Sequence, residues 1–192
     1  MLSLPRLAGL GLLAGLWLSP LPGYAGGSMV LHMVLHLGVT AVVPALLAPR
    51  LPGPVGPVTL VLAAAAEMAV VWGWHLPGTH LWARLSETGF VLEQGSFLAA
   101  GCLLWAVVRG AGAFGGAVVL LATTMHMTLL GALIGLSPRD LYGGICAGHL
   151  GLTALEEQQV AGALMAGAGG ALYLAAALHR LARALHLTEE RA

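Results

Sequence analysis

The stretch that decides the fold is MVLHMVLHLGVTAVVPALLA, residues 29–48, which carries no formally charged side chain and two histidines, His32 and His36. At about 1.5 Å of rise per residue, a helix of this length covers a hydrocarbon core of about 30 Å. Imidazoles four positions apart stand one turn apart on the same helix face. Ionisable groups in hydrocarbon are costly, so such a pair is expected to face the bundle interior and to serve function.

The rest of the chain repeats this character. Of 192 residues 58% are hydrophobic and 8% charged, lysine is absent, and the mean hydropathy is +0.89. Uncharged runs predict helices over 7–20, 29–48, 57–76, 88–108, 113–136 and 154–179. The expected fold is therefore all-α, a polytopic transmembrane helical bundle of five or six spans. The count depends on residues 1–28, which read either as a signal peptide or as a first transmembrane helix: Arg6 precedes an apolar core, then Pro20, Pro22 and small residues near Ala25. Residues 29–179 form the bundle, and 180–192 a tail.

With a cytoplasmic amino terminus, Arg6, Arg50, Arg109, Arg180, Arg183 and Arg191 fall inside, and Arg84 and Arg139 outside. This positive-inside bias sets the C-terminus in the cytoplasm and the linkers 21–28, 77–87 and 137–153 on the exterior. Net charge is zero and no basic block occurs, so the lipid bilayer is the expected partner and nucleic acid is not. Ser137-Pro138-Arg139-Asp140 reads as the start of a short outer helix in the last external linker, and Thr153-x-x-Glu156 as a capping box opening the last span. Gly11-x3-Gly15, Gly112-x3-Gly116 and Gly131-x3-Gly135 read as close-packing faces. Cys102 within a span and Cys146 in an outer linker are too distant to bridge and form no redox or zinc motif.

Placed by depth, the polar residues gather in the outer half or at the midplane. His32 and His36 enter from outside, as do Glu93 and Gln94, and Glu157 and Gln158 open the last span. His75 ends the 57–76 run, with Glu67 roughly 13 Å below that end, and His126 lies near mid-span. The alternative for His75 and for His80, close to Trp72, Trp74 and Trp82, is an interfacial aromatic belt. For His126 it is a hydrogen bond to a neighbouring helix. His149 sits in an outer linker, and His179 and His186 read as solvated charge near the inner end.

Soft sulfur accompanies the imidazoles at Met33, and at Met125 and Met127, of which at most one can join His126. Imidazole with thioether favours copper, as Cu(I). The expected ligands are His32, His36, His75, His126, Met33 and Met127, supported by Glu67, Glu93, Gln94, Glu157 and Gln158; no catalytic residue is expected. A haem held between His36 and His126, as in a membrane cytochrome b, is the first alternative. A small copper transporter is the second, although the inner halves lack continuing ligands.

Four segments in order, His32-Met33-x-x-His36, Trp74-His75-Leu76-Pro77, Leu92-Glu93-x-x-Ser96-Phe97 and Glu157-Gln158-Gln159-Val160-Ala161-Gly162, resemble the CtaG-like integral membrane assembly factors of bacterial caa-type cytochrome c oxidase. The resemblance covers roughly residues 29–178. It implies a bacterial plasma-membrane protein, not an enzyme, that helps mature the oxidase through its copper centres. Cytochrome c oxidase subunits or copper chaperones would be its partners, with His32, His36, His75, Glu157 and Gln158 as site residues. Two positions depart from the family pattern. Gln94 stands where a histidine is usual, and Glu157 where an aspartate is usual; the first removes a potential ligand, the second keeps the carboxylate.

Overall fold

The computed structural model describes residues 3–145 and 151–189, the side chains of 187–189 excepted. Among these, eight helical elements follow: α1 (Leu4–Leu18), α2 (Leu21–Ala25), α3 (Met29–Leu47), α4 (Pro57–His75), α5 (Pro77–Leu85), α6 (Glu87–Gly110), α7 (Ala113–Gly135) and α8 (Ala154–His186). No strand occurs among the described residues, and α3, α4, α6, α7 and α8 are each long and apolar enough to cross a membrane. The chain is a polytopic helical bundle. Shorter and apolar, α1 lies against the C-terminal end of α3, where Gly9 leaves room for Leu46 and Leu47.

Local chemistry explains the helix ends. Ser28 caps α3 by accepting from the Leu31 amide, and Ser86 caps α6 by accepting from Gly89. The capping box expected at Thr153 and Glu156 is formed in full at the start of α8. Leu76 precedes a proline and takes an extended ψ of 138°, which stops α4, and Pro77 then opens α5 in its first turn.

Two long helices contain a π turn. In α3 it spans Gly38–Val42, where the Val43 amide bonds the Gly38 carbonyl, and Pro44 follows. Pro44 has no N–H for the Thr40 carbonyl, and its ring crowds that oxygen. The freed Thr40 carbonyl instead accepts the Tyr173 hydroxyl at 3.5 Å, while Gly101 lies so close that any side chain there would strike it. The second π turn, Met165–Gly169, is glycine-rich and lies in α8.

Close packing of α7 on α8 uses the predicted Gly131-x3-Gly135 face. A Cβ on Gly131 would meet the Ala166 amide nitrogen at 2.6 Å and the Gly162 carbonyl oxygen at 2.7 Å. Gly11 and Gly15, by contrast, face open space.

The short outer helix expected from Ser137 does not form among residues 137–145. The Ser137 hydroxyl accepts from the Arg139 amide, and Asp140 accepts from Tyr142 and Gly144, while Gly143 and Gly144 adopt φ of +68° and +76°. These bonds wind the chain into turns that a right-handed helix cannot accommodate. A short helix forms instead in the linker 77–87, as α5. Cys102 is a free thiol, whereas the expectations for Cys146 and His149 fall outside the described residues.

Candidate metal centre

At one end of the bundle α3, α4 and α6, covered by α5, enclose a cluster of imidazoles. His32 and His36 are fully buried on one face of α3, as their spacing required. Their ring centroids are 6.2 Å apart and nearly parallel. His75 from the last turn of α4 places its ring 5.9 Å from His32 and 5.0 Å from His36. His80 from α5 comes closer still, 4.9 Å from His32. Phe97 packs 4.3 Å from His36 and 6.3 Å from His75, an apolar wall on the α6 side.

Hydrogen bonds orient two of these rings. His75 Nδ1 lies 2.7 Å from the Val71 carbonyl, which can only accept, so Nδ1 carries the proton and Nε2 keeps its lone pair. His36 Nδ1 pairs with the Thr40 hydroxyl at 3.2 Å. The Nε2 atoms of both rings are buried with no hydrogen-bond partner, as are both nitrogens of His32. Buried polar atoms are almost always bonded, so a concentration of bare imidazole nitrogens marks a place arranged for a ligand. Anchoring one nitrogen while leaving the other bare is how metal-binding histidines are held.

Glu93 supplies the carboxylate. One ligand atom each from His32, His80 and Glu93 lie within 4.8 Å of one another, and His32 Nδ1 is 4.0 Å from Glu93 Oε2. That same oxygen is ion-paired with Arg84, and Gln94 donates to it at 3.2 Å. Arg84 also donates to the Ala25 carbonyl at 3.3 Å, and Gln94 Oε1 accepts from the Trp17 indole at 3.4 Å. Glu93 Oε1 has no partner and remains available. Burial, followed by the Arg84 charge and by His75, pushes the His80 imidazole well below its ordinary value, so this ring is neutral.

Of the other expected residues, His126 makes none of the ring contacts above: its Nε2 bonds Glu67 Oε2 at 2.7 Å, joining α7 to α4, and its Nδ1 is buried with no hydrogen-bond partner. Glu67 is fully buried on α4, and a carboxylate there without a partner would be far costlier than the pair, which is why it draws His126 to itself. Met33 and Met127 are both fully buried within the apolar core.

Glu157 and Gln158 hold the frame. Glu157 Oε2 accepts from Ser28 Oγ at 2.6 Å and from the Val30 amide at 3.0 Å, placing a carboxylate on the N-terminus of the helix that carries His32 and His36. Gln158 accepts from the Leu141 amide at 2.7 Å and donates to the Ile134 and Arg139 carbonyls at 3.0 and 3.1 Å. Tyr142 in that loop donates to the His75 carbonyl at 3.1 Å, with its ring 4.5 Å from His80.

Two residues of the centre were not anticipated from sequence. His80 read as an interfacial residue among tryptophans, and Arg84 as an exterior positive charge. The available signal was Pro77 opening a helix with His80 and Arg84 at i and i+4 on one face.

Residues 57–186 match the family model for the cytochrome c oxidase caa3 assembly factor, Caa3_CtaG. The chain belongs to this family. No curated protein and no solved structure matches it. In this caa3 assembly factor the matched span contains His75, His80, Arg84 and Glu93, whereas His32 and His36 precede it. The place of that first pair in the centre rests on geometry.

Proposed function

We propose that this caa3 assembly factor binds copper in the His32, His36, His75 and His80 cluster and passes it to the oxidase during maturation. The observation that carries the reading is the set of buried, bare imidazole nitrogens at His32, His36 and His75, two of the three rings anchored through Nδ1. Charge favours Cu(I) as the cargo. Arg84 already neutralises Glu93, so the imidazoles are the main donors, and the cost of burying an ion grows steeply with its charge. A monovalent, soft ion suits a neutral nitrogen-rich pocket best. Met33 or Met127 would supply a thioether if the core repacks on loading. Partners in this reading are oxidase subunits or copper chaperones. The membrane is the bacterial plasma membrane, with the cluster on the exterior and the C-terminus in the cytoplasm, because Arg6, Arg50, Arg109, Arg180 and Arg183 gather at the opposite end.

The test is Cu(I) competition on the purified full-length chain. The parent should hold about one copper against a moderate chelator, and His32→Leu/His36→Leu should hold none, since too few donors remain. Leucine keeps the span apolar, so the variant should insert normally. Cells depending on it should accumulate oxidase polypeptides with copper-poor, weakly active enzyme. Retention of copper and of oxidase activity by the double variant would overturn the proposal.

A further inference from the structure

At the end of the bundle opposite the imidazoles, Arg50, Arg109, His179, Arg180 and Arg183 line one cavity of about 710 Å³ with Trp105 in its wall. The positive-inside rule accounts for arginines at this end. It does not account for four of them, from the α3–α4 connection, α6 and α8, converging on one concavity. None of its lining residues is acidic, and among the described residues none of these arginines is ion-paired.

Two of the four are fixed by the backbone. Arg109 donates to the Ala45 and Ala48 carbonyls at the end of α3, and Arg180 donates to the Ala111 carbonyl at 2.9 Å. Their chains are thereby held at the rim with positive charge uncompensated. Arg50 and Arg183 are exposed and make no hydrogen bond among the described residues. Inside, Arg180 Nε and Trp105 Nε1 are buried donors with no acceptor. Orphaned buried donors are rare, and here both belong to residues that line a cavity rich in positive charge.

We infer that this cavity binds the phosphate of an anionic phospholipid headgroup. A phosphodiester offers acceptors to both orphaned donors and a negative charge to the guanidinium groups, which match phosphate geometry well. Basic pockets between membrane helices at the cytoplasmic surface hold such headgroups, and the position beside the lipid boundary selects a lipid over a soluble phosphate. The site stands apart from the copper reading, sharing no residue with it.

The test uses the full-length protein in mild detergent, with phosphatidylglycerol and phosphatidylcholine offered together and bound lipid read by native mass spectrometry. The parent should retain phosphatidylglycerol preferentially. Arg50→Gln/Arg183→Gln, which removes no hydrogen bond among the described residues, should weaken that retention by at least about tenfold, since each arginine near a membrane surface is worth roughly fivefold. Arg139→Gln, at the other end, should leave it unchanged. Equal retention of both lipids by the parent would overturn the inference, as would parent-like retention by the double variant. Displacement of the lipid by millimolar inorganic phosphate would also overturn it, by making this a soluble-phosphate site.

Discussion

Ser28 donates at 2.6 Å to Glu157, which lies 129 positions further along the sequence, and the bond is wholly buried. The same carboxylate oxygen takes the Val30 amide, so the first turn of the last span clamps the start of the helix bearing His32 and His36. Glu157→Gln keeps the shape but turns a charged acceptor into a neutral one. It should cost about 2 kcal/mol of stability, the usual worth of a hydrogen bond to a charged group. Thermal unfolding in detergent measures this, and a midpoint equal to the parent's would show that the clamp contributes nothing.

The Arg84–Glu93 pair is fully buried, with both side chains at 0% exposure. Removing only the arginine strands a carboxylate beside the imidazoles. Arg84→Gln should therefore destabilise by about 3–5 kcal/mol, and Arg84→Gln/Glu93→Gln should recover most of that loss. Denaturant unfolding of the two variants decides it. Were the double variant no better than the single one, the arginine would matter for something other than its partner's charge.

Because His126 Nε2 is engaged with Glu67, its replacement should separate stability from copper binding. His126→Gln should lower the unfolding midpoint yet leave copper affinity within about tenfold of the parent, the lower limit for loss of an outer partner. His75→Leu should instead abolish binding. Equal loss in both variants would place His126 among the ligands.

Acid should destabilise the protein through His80. Its folded-state pKa lies below the unfolded value of about 6.5, so the unfolded chain binds more protons. The sign follows: stability is complete above about pH 6.5 and falls as the pH drops toward the depressed folded value. Unfolding midpoints at pH 7.5 and 5.5 should therefore differ, and His80→Asn should shrink the difference. A slope unaffected by that substitution would assign the acid sensitivity to another group.

The spans were legible from sequence because an uncharged run of about twenty residues has few other fates in a chain with 8% charged residues. The expected 29–48 and 57–76 runs end within a residue of Met29–Leu47 and Pro57–His75. The convergence of His32, His36 and His75 was legible too, since helix periodicity and depth are local quantities. What sequence did not carry was the fold-back of Pro77–Leu85. Its composition suits an interfacial linker, and the interaction that buries it, Arg84 with Glu93, joins two helices across a turn. The partner of His126 was hidden for a related reason. Depth along a span says nothing about which neighbour a side chain meets, and Glu67 competes for the imidazole at 2.7 Å.

The π turn at Gly38–Val42 gives α3 two angular phases. Before it, the helix aims His32 and His36 at α4 and α6; within it Thr40 meets Gly101, and beyond it Leu46 and Leu47 meet Gly9. A π turn holds about one residue more than an α turn, and one residue of an α-helix is about 100° of rotation. Deleting Val39 would let the helix run regularly and swing both imidazoles away from His75 by roughly that angle. One surplus residue therefore works as a set screw, fixing the azimuth of the imidazole pair independently of the contacts that anchor the inner half.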